Sequence, residues 1–165
     1  MKNNLLILGA GQYGLAAREV AEAMDCFEKL DFLDDKNPIA IGKLDDYIKF
    51  TEYKCAFVAI GNPEVRFKYI QKLINYQLVN LIHPQACISP SATLGKACII
   101  EAFAVVGTGV EIGSGCIIMS GAVIGHNASV GTCCQLKYNC TVPENNSVVP
   151  MSKIECNTVY MTPKN

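Results

Sequence analysis

The sequence predicts an α/β domain followed by a parallel β-solenoid, and two patterns indicate this fold class. Near the N-terminus, a glycine-rich turn stands between an apolar run and a helical segment. From Ile82 to Ile154, every sixth residue is Ile, Leu or Val, thirteen times in succession. A period of six fits neither a 3.6-residue helix nor the two-residue alternation of a strand, so it indicates short strands joined by regular corners. The boundary is predicted near residue 80, giving domains 1–80 and 81–165 without a flexible linker.

The first domain shows the element order of a Rossmann-like half-domain. Strands are predicted at 5–8, 29–33, 55–60 and 78–82, and helices at 15–24 and 63–76. A GxGxxG turn, Gly9 to Gly14, joins the first strand to the first helix, and Asp34 and Asp35 follow about twenty residues later. Roughly 80 residues supply one mononucleotide-binding half and not the two that hold a dinucleotide, so a nucleotide at the C-terminal strand ends is favoured over NAD. The alternative is a glycine turn that serves only helix–sheet packing.

The six-residue pattern also predicts how the solenoid packs. Small residues mostly occupy the position two before each aliphatic, where they let a corner close: Ala86, Ala92, Cys98, Ala104, Cys116, Ala122, Ala128, Cys134, Cys140 and Ser152. Glycine often follows the aliphatic, at Gly95, Gly107, Gly113, Gly125 and Gly131. We expect the backbone to turn at these glycines, because they have no Cβ. Such repeats bury apolar surface only by stacking on one another.

Charge and composition exclude several classes of function. The formal net charge is −1 and no Lys/Arg run is present, so neither a nucleic acid nor an anionic membrane is expected as a partner. The N-terminal apolar run is too short for a signal peptide or a membrane span, which predicts a cytoplasmic protein. Nine cysteines without a CxxC motif are expected to be reduced thiols that act as small hydrophobes. With two histidines in the chain, no metal site is expected.

Local motifs in both halves resemble one family. They are Gly9 to Gly14, Phe32 to Asp35, Val58 to Asn62, Asn80 to Pro84, Ile88 to Ala92 and Ala122 to His126. Together they resemble the hexapeptide-repeat acetyltransferases that modify nucleotide sugars or sialic acid in bacterial surface-glycan synthesis. The resemblance implies a left-handed parallel β-helix with three hexapeptides per coil, a homotrimer, acetyl-CoA as co-substrate and a UDP-linked amino sugar as acceptor.

The resemblance also implies roles for individual residues. Residues that match the family's nucleotide-sugar pocket are Gly11, Gln12, Tyr13, Asp34, Asp35, Gly61 and Asn62. His126 matches the general base, and a near-neutral imidazole suits the removal of a proton from an attacking amine or hydroxyl. His83 is expected to be structural. Because residues eighteen apart stack in such a helix, Cys98, Cys116 and Cys134 should form one column of buried free thiols.

Three departures from the family bear on activity. Asn127 stands where the family has an acid that orients the base, so it can orient His126 but adds no charge. Gln135 stands where a histidine contacts acetyl-CoA. Thr141 to Pro150 is rich in Asn and Pro, and with the chain stopping at Asn165 part of the coenzyme groove is expected to be absent or differently built. Glu144 lies eighteen residues after His126, and the hypothesis that it replaces the missing acid stands beside that of an exposed turn glutamate.

Two functions therefore remain open from the sequence. The leading prediction is an acetyl-CoA-dependent N-acetyltransferase of a nucleotide-linked amino sugar, with a sugar hydroxyl as the second acceptor. The alternative is a non-enzymatic nucleotide-sugar-binding trimer of the same fold. A γ-type carbonic anhydrase would share the solenoid but needs three histidine ligands, and the chain has two histidines.

Overall fold

The computed structural model describes residues 2–163, which form two compact units, one ending at Leu81 and the next beginning at Ile82. The outermost residues of the predicted domains 1–80 and 81–165, Met1 and 164–165, lie outside the described residues. No helix among residues 2–163 is both long and apolar enough to span a membrane.

The first unit is a four-stranded parallel sheet with helices. Its elements are β1 (Asn3–Leu8), α1 (Gln12–Ala23), β2 (Phe27–Leu33), a 3-10 helix (Leu44–Lys49), β3 (Cys55–Val58), α2 (Pro63–Lys72) and β4 (Gln77–Leu78). The strand order is β2-β1-β3-β4, and the three pairings are parallel. The central strand β1 is buried from Leu5 to Leu8, and this apolar run is the reason it occupies the middle of the sheet.

Every predicted helix and strand of this unit has at least one bound that differs from the structure by one to four residues: β1 and β2 each begin two residues earlier, β3 ends two residues earlier, and the differences in the other elements are larger. Helix α1 begins at Gln12 and not at 15, because the chain enters helical geometry directly after Gly11, its N-cap. Helix α2 ends at Lys72 and not at 76, since Leu73 leaves the helical region with ψ at 41°. The strand predicted at 78–82 is two short strands, β4 and β5 (Leu81–Ile82), which belong to different sheets.

The second unit consists of two-residue strands stacked into three parallel sheets. The strands are β6 (Cys87–Ile88), β7 (Thr93–Leu94), β8 (Ile99–Ile100), β9 (Val105–Val106), β10 (Glu111–Ile112), β11 (Ile117–Ile118), β12 (Val123–Ile124), β13 (Ser129–Val130), β14 (Gln135–Leu136), β15 (Thr141–Val142), β16 (Ser147–Val148) and β17 (Lys153–Ile154). The sheets have the orders β16-β13-β10-β7, β17-β14-β11-β8-β5 and β15-β12-β9-β6. In the register Val123 pairs with Thr141, eighteen residues on, so three hexapeptides make one coil. The predicted fold class is confirmed, and the stacking is consistent with the left-handed β-helix.

The corners of the β-helix correct one sequence interpretation. The glycines that directly follow the aliphatics do not make the turn, since the positive-φ residues lie two positions later. From 97 to 157 every sixth residue has positive φ: Ala97, Phe103, Gly109, Gly115, Gly121, Asn127, Cys133, Asn139, Asn145, Met151 and Asn157. The glycines after the aliphatics instead allow coils to approach. A Cβ on Gly125, for example, would lie 2.5 Å from the amide nitrogen of Glu144 in the next coil.

The interior of the β-helix is one apolar column, as the six-residue pattern predicts. From Cys98 onward the aliphatics and most of the small residues two positions before them form a single buried cluster, and the half-buried Ala86, Ile88, Ala92 and Leu94 pack against it. Cys98, Cys116 and Cys134 are buried free thiols, and each donates a hydrogen bond to a carbonyl fifteen residues on, at 3.1–3.2 Å. Contacts with the Cys134 and Cys98 thiols, together with burial, raise the pKa of Cys116, and burial raises the pKa of Cys140 to about 11. These thiols are therefore packing groups and not nucleophiles.

Candidate functional site

The three glycines of the GxGxxG turn have different environments. Gly9 has φ +102°, and a Cβ there would lie 2.7 Å from the carbonyl oxygen of Ala59. A Cβ on Gly14 would collide with the carbonyl oxygen of Gly9, so this glycine lets α1 approach the strand end. A Cβ on Gly11 would meet nothing within 4 Å. Packing therefore requires Gly9 and Gly14, whereas Gly11 leaves bare backbone facing open space.

Asp34 fastens the glycine turn through both of its carboxylate oxygens. Oδ2 accepts the Ala10 N–H at 2.8 Å, and Oδ1 accepts the N–H groups of Lys36 and Asn37 at 2.9 Å each. These hydrogen bonds, led by that from Ala10, lower the pKa of Asp34. Asn37, which the sequence analysis did not select, donates from Nδ2 to the Ala10 carbonyl at 2.7 Å. Asp34 and Asn37 together hold Ala10 from both sides of its peptide unit.

The other predicted acid, Asp35, has a different position. It is exposed, and its Oδ1 accepts the Leu44 N–H at 3.1 Å at the start of the 3-10 helix. Gln12 is also exposed, as the first residue of α1. Gln12 and Asp35 therefore keep solvent-facing polar groups at the carboxyl ends of β1 and β2.

Tyr13 and Gly61 are in direct contact. A Cβ on Gly61 would lie 2.7 Å from Cε2 of the Tyr13 ring, so only glycine leaves room for the ring at this point. Asn62 caps α2, because its Oδ1 accepts the Val65 N–H at 2.9 Å. The structure thus brings the first and third strand ends together through an aromatic ring, while the Asn62 side chain has a structural partner.

Arg66 is a buried residue that the sequence analysis missed. Its side chain is 0% exposed, and Nη1 donates to the carbonyl oxygens of Ile60 at 2.5 Å and Gly61 at 3.1 Å. A buried guanidinium requires such partners, since an unpaired buried charge is costly. Arg66 therefore fixes the loop after β3, on the edge of the sheet that holds the glycine turn.

These residues form a polar site at the carboxyl ends of β1, β2 and β3, where open α/β sheets bind ligands. The N-terminus of α1 opens into it: Gly11 offers no side-chain cap, and the first turn contains no acid. The backbone N–H groups and the dipole at a helix start favour a phosphate or another anion. The seven residues predicted for the nucleotide-sugar pocket lie on the loops after β1, β2 and β3 or in the first turn of α1, and their binding roles stay predictions.

His126 lies at a corner of the β-helix and is exposed. Its Nδ1 accepts the backbone N–H of Thr108, one coil earlier, at 3.2 Å, and its carbonyl accepts the Asn145 N–H at 2.9 Å. A neutral imidazole that accepts at Nδ1 has its proton on Nε2. In this arrangement Nε2 can donate a hydrogen bond but cannot take up a proton.

Asn127 contacts the preceding coil, which differs from its predicted role of orienting His126. It has φ 55°, its N–H donates to the Thr108 carbonyl at 2.9 Å, and its Oδ1 lies over Gly109 of the preceding coil. Asn is one of the few residue types that adopts positive φ readily, which accounts for it here. The catalytic role of Asn127 stays a prediction, with no contact to the imidazole among the described residues.

Gln135, the predicted coenzyme contact, is only 4% exposed. Its Nε2 lies 3.7 Å from the sulfur of Met119, a partner that the sequence did not suggest. The coenzyme role of Gln135 stays a prediction. Among residues 2–163, no group of three or more His, Cys, Asp or Glu side chains could hold a metal ion.

An open groove of about 590 Å³ follows the β16-β13-β10-β7 sheet, whose strand β13 comes directly after the His126 corner. Its floor includes Glu111, Gly113, Ser129, Gly131 and Ser147. The Ser129 hydroxyl donates to that of Ser147 at 2.8 Å. The groove can accommodate an extended ligand with polar groups along its length, and the sequence analysis did not predict it.

Comparison with known proteins identifies the first unit. Residues 4–73 match the family model of the PglD N-terminal domain. This match covers the glycine turn, both acids after β2 and the loop after β3.

Solved structures match the fold of almost the whole chain. PerB from Caulobacter crescentus, solved with CoA and GDP-perosamine, is 24% identical with a TM-score of 0.80, over 96% of this chain and 89% of that chain. The acetyltransferase domain of PglB from Neisseria gonorrhoeae, solved with acetyl coenzyme A, is 24% identical with a TM-score of 0.68, over 96% and 94%. WeeI from Acinetobacter baumannii is 17% identical with a TM-score of 0.57, over 89% and 93%.

The predicted resemblance is thus confirmed for the N-terminal domain and for the fold. The chain joins an N-terminal unit that matches the PglD N-terminal domain to a hexapeptide-repeat β-helix, and the solved structures share this fold.

Proposed function

We propose that the chain is an acetyl-CoA-dependent N-acetyltransferase that acts on a nucleotide-linked amino sugar, with His126 as general base. The observation that supports this most is the presence in one chain of the glycine-turn site and an exposed corner imidazole. PerB, which shares the fold, was solved with CoA and a GDP-linked amino sugar, and the PglB domain with acetyl coenzyme A. The same pair of ligands would use both sites of this chain.

The first unit would bind the nucleotide sugar. Bare backbone at Gly11 and the uncapped start of α1 suit a diphosphate, while Gln12, Tyr13 and Asp35 offer polar contacts for sugar or base. The sequence resemblance favours a UDP-linked acceptor, whereas PerB was solved with a GDP-linked one. Asp34 would act indirectly, since its two oxygens hold the turn.

In the reaction, the amine nitrogen attacks the thioester carbonyl carbon of acetyl-CoA. The C–N bond forms, the C–S bond breaks, and the proton lost by the nitrogen passes to His126 and then to the CoA thiolate. The products are the N-acetylated sugar and CoA–SH. For His126 to accept this proton at Nε2, its Nδ1 must leave the Thr108 N–H, because that contact keeps the proton on Nε2.

We place this activity in a homotrimer and in the cytoplasm. Val105 and Val123 are exposed apolar residues on the β-helix, and burial of such side chains against a second copy would be favourable. Acetyl-CoA and nucleotide sugars as substrates fit a cytoplasmic enzyme.

The second candidate function is a non-catalytic nucleotide-sugar-binding protein. The contact of Thr108 with Nδ1, the burial of Gln135 and the absence of an acid at Asn127 favour it. It would keep the first site and lack acetyl transfer.

Thiol release from acetyl-CoA separates the two candidates. GDP-perosamine and UDP-4-amino-4,6-dideoxy sugars serve as acceptors, and calorimetry measures their binding without acetyl-CoA. An enzyme should release CoA–SH with one of these acceptors, and His126→Asn should lower kcat about 100-fold or more. The matched control is His83→Asn, since Asn can replace the Nδ1 of His83 that accepts the Gln85 N–H at 3.1 Å. Sugar binding without thiol release would establish the non-catalytic alternative.

A further inference from the structure

The contact between Thr108 and His126 determines which ring nitrogen of His126 has the proton. The Thr108 N–H occupies the Nδ1 lone pair, so the neutral ring has its proton on Nε2. A ring that takes a proton at Nε2 must instead have a proton on Nδ1 and must donate it to an acceptor. The base proposed above therefore needs a second partner for Nδ1.

Asn127 does not supply this acceptor in the observed geometry. Its Oδ1 lies over Gly109 in the preceding coil, and its positive φ fixes it as the corner residue. His126 is exposed, so water can accept this proton, but a fixed protein acceptor has to come from another residue near His126.

Glu144 lies one coil after His126 at the equivalent position. Strands β12 and β15 pair in register, Val123 with Thr141 and Ile124 with Val142, and the same offset of eighteen continues to 126 and 144. Two contacts show that this register extends into the corner. The Asn145 N–H donates to the His126 carbonyl at 2.9 Å, and the amide nitrogen of Glu144 lies beside Gly125. The backbones are therefore one coil spacing apart, about 4.8 Å.

Both side chains are exposed, and at this corner Thr108 lies one coil before His126 and Glu144 one coil after it. A rotation of the imidazole moves Nδ1 from the earlier coil to the later one. A carboxylate there accepts only, and so selects the ring form that has its proton on Nδ1.

We propose that Glu144 is the positioning residue of His126, accepting the Nδ1 proton in the reactive arrangement while the Thr108 N–H holds the resting one. This inference rests on the proposed function. The acid that orients His126 would then come from the next coil, because the residue adjacent to His126, Asn127, is not an acid. The acetyl transfer proceeds as in the reaction already described, and Glu144 forms no bond with the acetyl group, the amine or the thiol.

The β-helix offers a variant that removes the resting partner. Thr108 lies two residues after an aliphatic, and the equivalent positions hold Pro84, Pro90 and Pro150. Pro150 precedes a positive-φ residue, Met151, as Thr108 precedes Gly109. Thr108→Pro should therefore fold, and it lacks the N–H that Nδ1 accepts.

Two-bond proton–nitrogen NMR of the imidazoles at alkaline pH tests the contact without ligand. Wild type should show His126 with its proton on Nε2. Thr108→Pro should make the Nδ1–H form the majority, and Thr108→Pro/Glu144→Met should return it to Nε2–H. Glu155→Met, which removes an exposed glutamate paired with Lys137, is the matched control and should leave the Thr108→Pro spectrum unchanged. The same ring form in Thr108→Pro with and without Glu144 would overturn the proposal.

Kinetics supply an independent arm should Thr108→Pro fail to fold. Glu144→Met should lower kcat about 10–100-fold with KM for acetyl-CoA unchanged, Glu144→Asp should recover most of it, and Glu155→Met should match wild type. In a His126→Asn background, Glu144→Met should cause no further loss, and a full additional loss would refute the positioning role. If wild type shows no transfer to any acceptor, the proposed function fails, whereas the NMR comparison still decides whether Glu144 receives the Nδ1 proton.

Discussion

In the β-helix, His126 is positioned by a backbone that repeats every six residues, whereas in the first unit Tyr13, Asp34 and Arg66 are positioned by contacts that occur once. The corner of His126 has equivalents at every sixth residue from 97 to 157, and stacking predicts its neighbours by adding or subtracting eighteen. The glycine turn is fixed by Asp34, Asn37 and Arg66, none of which belongs to a repeat.

This difference predicts how substitutions should affect each of the two units. In the β-helix, the effect of a substitution depends on its place within the hexapeptide, so inward, outward and corner positions form classes. In the first unit, neighbouring residues of the same type can have unrelated roles, as Gly11 and Gly14 do. Two positions that differ in this way should therefore respond differently to substitution.

The largest effect is expected inside the β-helix. Ile118 is 0% exposed, and Ile118→Ala should lower the free energy of unfolding by about 2–5 kcal/mol, because it leaves a cavity in the apolar column. Val123→Ala, at the outward position with 37% exposure, is the control and should cost far less. Chemical denaturation measures both. Equal losses would contradict an interior formed by every sixth residue.

The glycine turn provides the second comparison. Gly14→Ala should destabilise the protein by about 1–3 kcal/mol, because the added Cβ collides with the Gly9 carbonyl. Gly11→Ala has open space around the new methyl group, so its stability should stay within about 0.5 kcal/mol of wild type. It should nonetheless weaken binding of a nucleotide sugar, measured by calorimetry. Unchanged binding by Gly11→Ala would leave the bare backbone without a role in the site.

The β-helix was predictable to the residue because stacking converts a sequence period into coordinates. The burial of the aliphatics from Ile100 onward and the column of Cys98, Cys116 and Cys134 followed from spacing, while Ile82, Ile88 and Leu94 at the first coil are half-buried. The corner was misplaced, although its signal is visible: three residues after the aliphatic, the chain mostly holds Gly or Asn, which adopt positive φ most readily. The Thr108–His126 contact was also within reach, since the two residues are eighteen apart.

The first unit was predictable only in outline. Apolar runs and the GxGxxG turn gave the strands and helices, with bounds that shifted by up to four residues. Asn37 and Arg66 were missed, because their contacts depend on the direction in which each side chain points once the strand ends meet. No period in the sequence reports that direction. Asn three residues after Asp34 is a weak local signal of a turn, and a lone Arg within α2 gives none.

A smaller effect of opposite sign is expected at the corners. Phe103 has φ 62° and is 63% exposed, so its large side chain occupies a strained backbone without gaining burial. Phe103→Gly should therefore raise the free energy of unfolding by up to about 1 kcal/mol, since glycine adopts this conformation without penalty. Val105→Gly, at an extended outward position, should lower it. A loss of stability in Phe103→Gly would show that this ring packs against another molecule, such as a second copy.

The smallest effect concerns the charge that holds the glycine turn. Hydrogen bonds, first that from Ala10, lower the pKa of Asp34 in the folded state below its unfolded value, so the carboxylate stabilises the fold above that unfolded value. This contribution should disappear as pH falls through the lower, folded pKa. Asp34→Asn should therefore flatten the pH dependence of the unfolding free energy between about pH 5 and pH 2. Asn37→Ala breaks a contact with the same residue, Ala10, without removing a charge, so it should lower stability equally across that window. If Asp34→Asn lost stability by a constant amount at every pH, Asp34 would hold the turn by shape alone, in the manner of a corner residue of the β-helix.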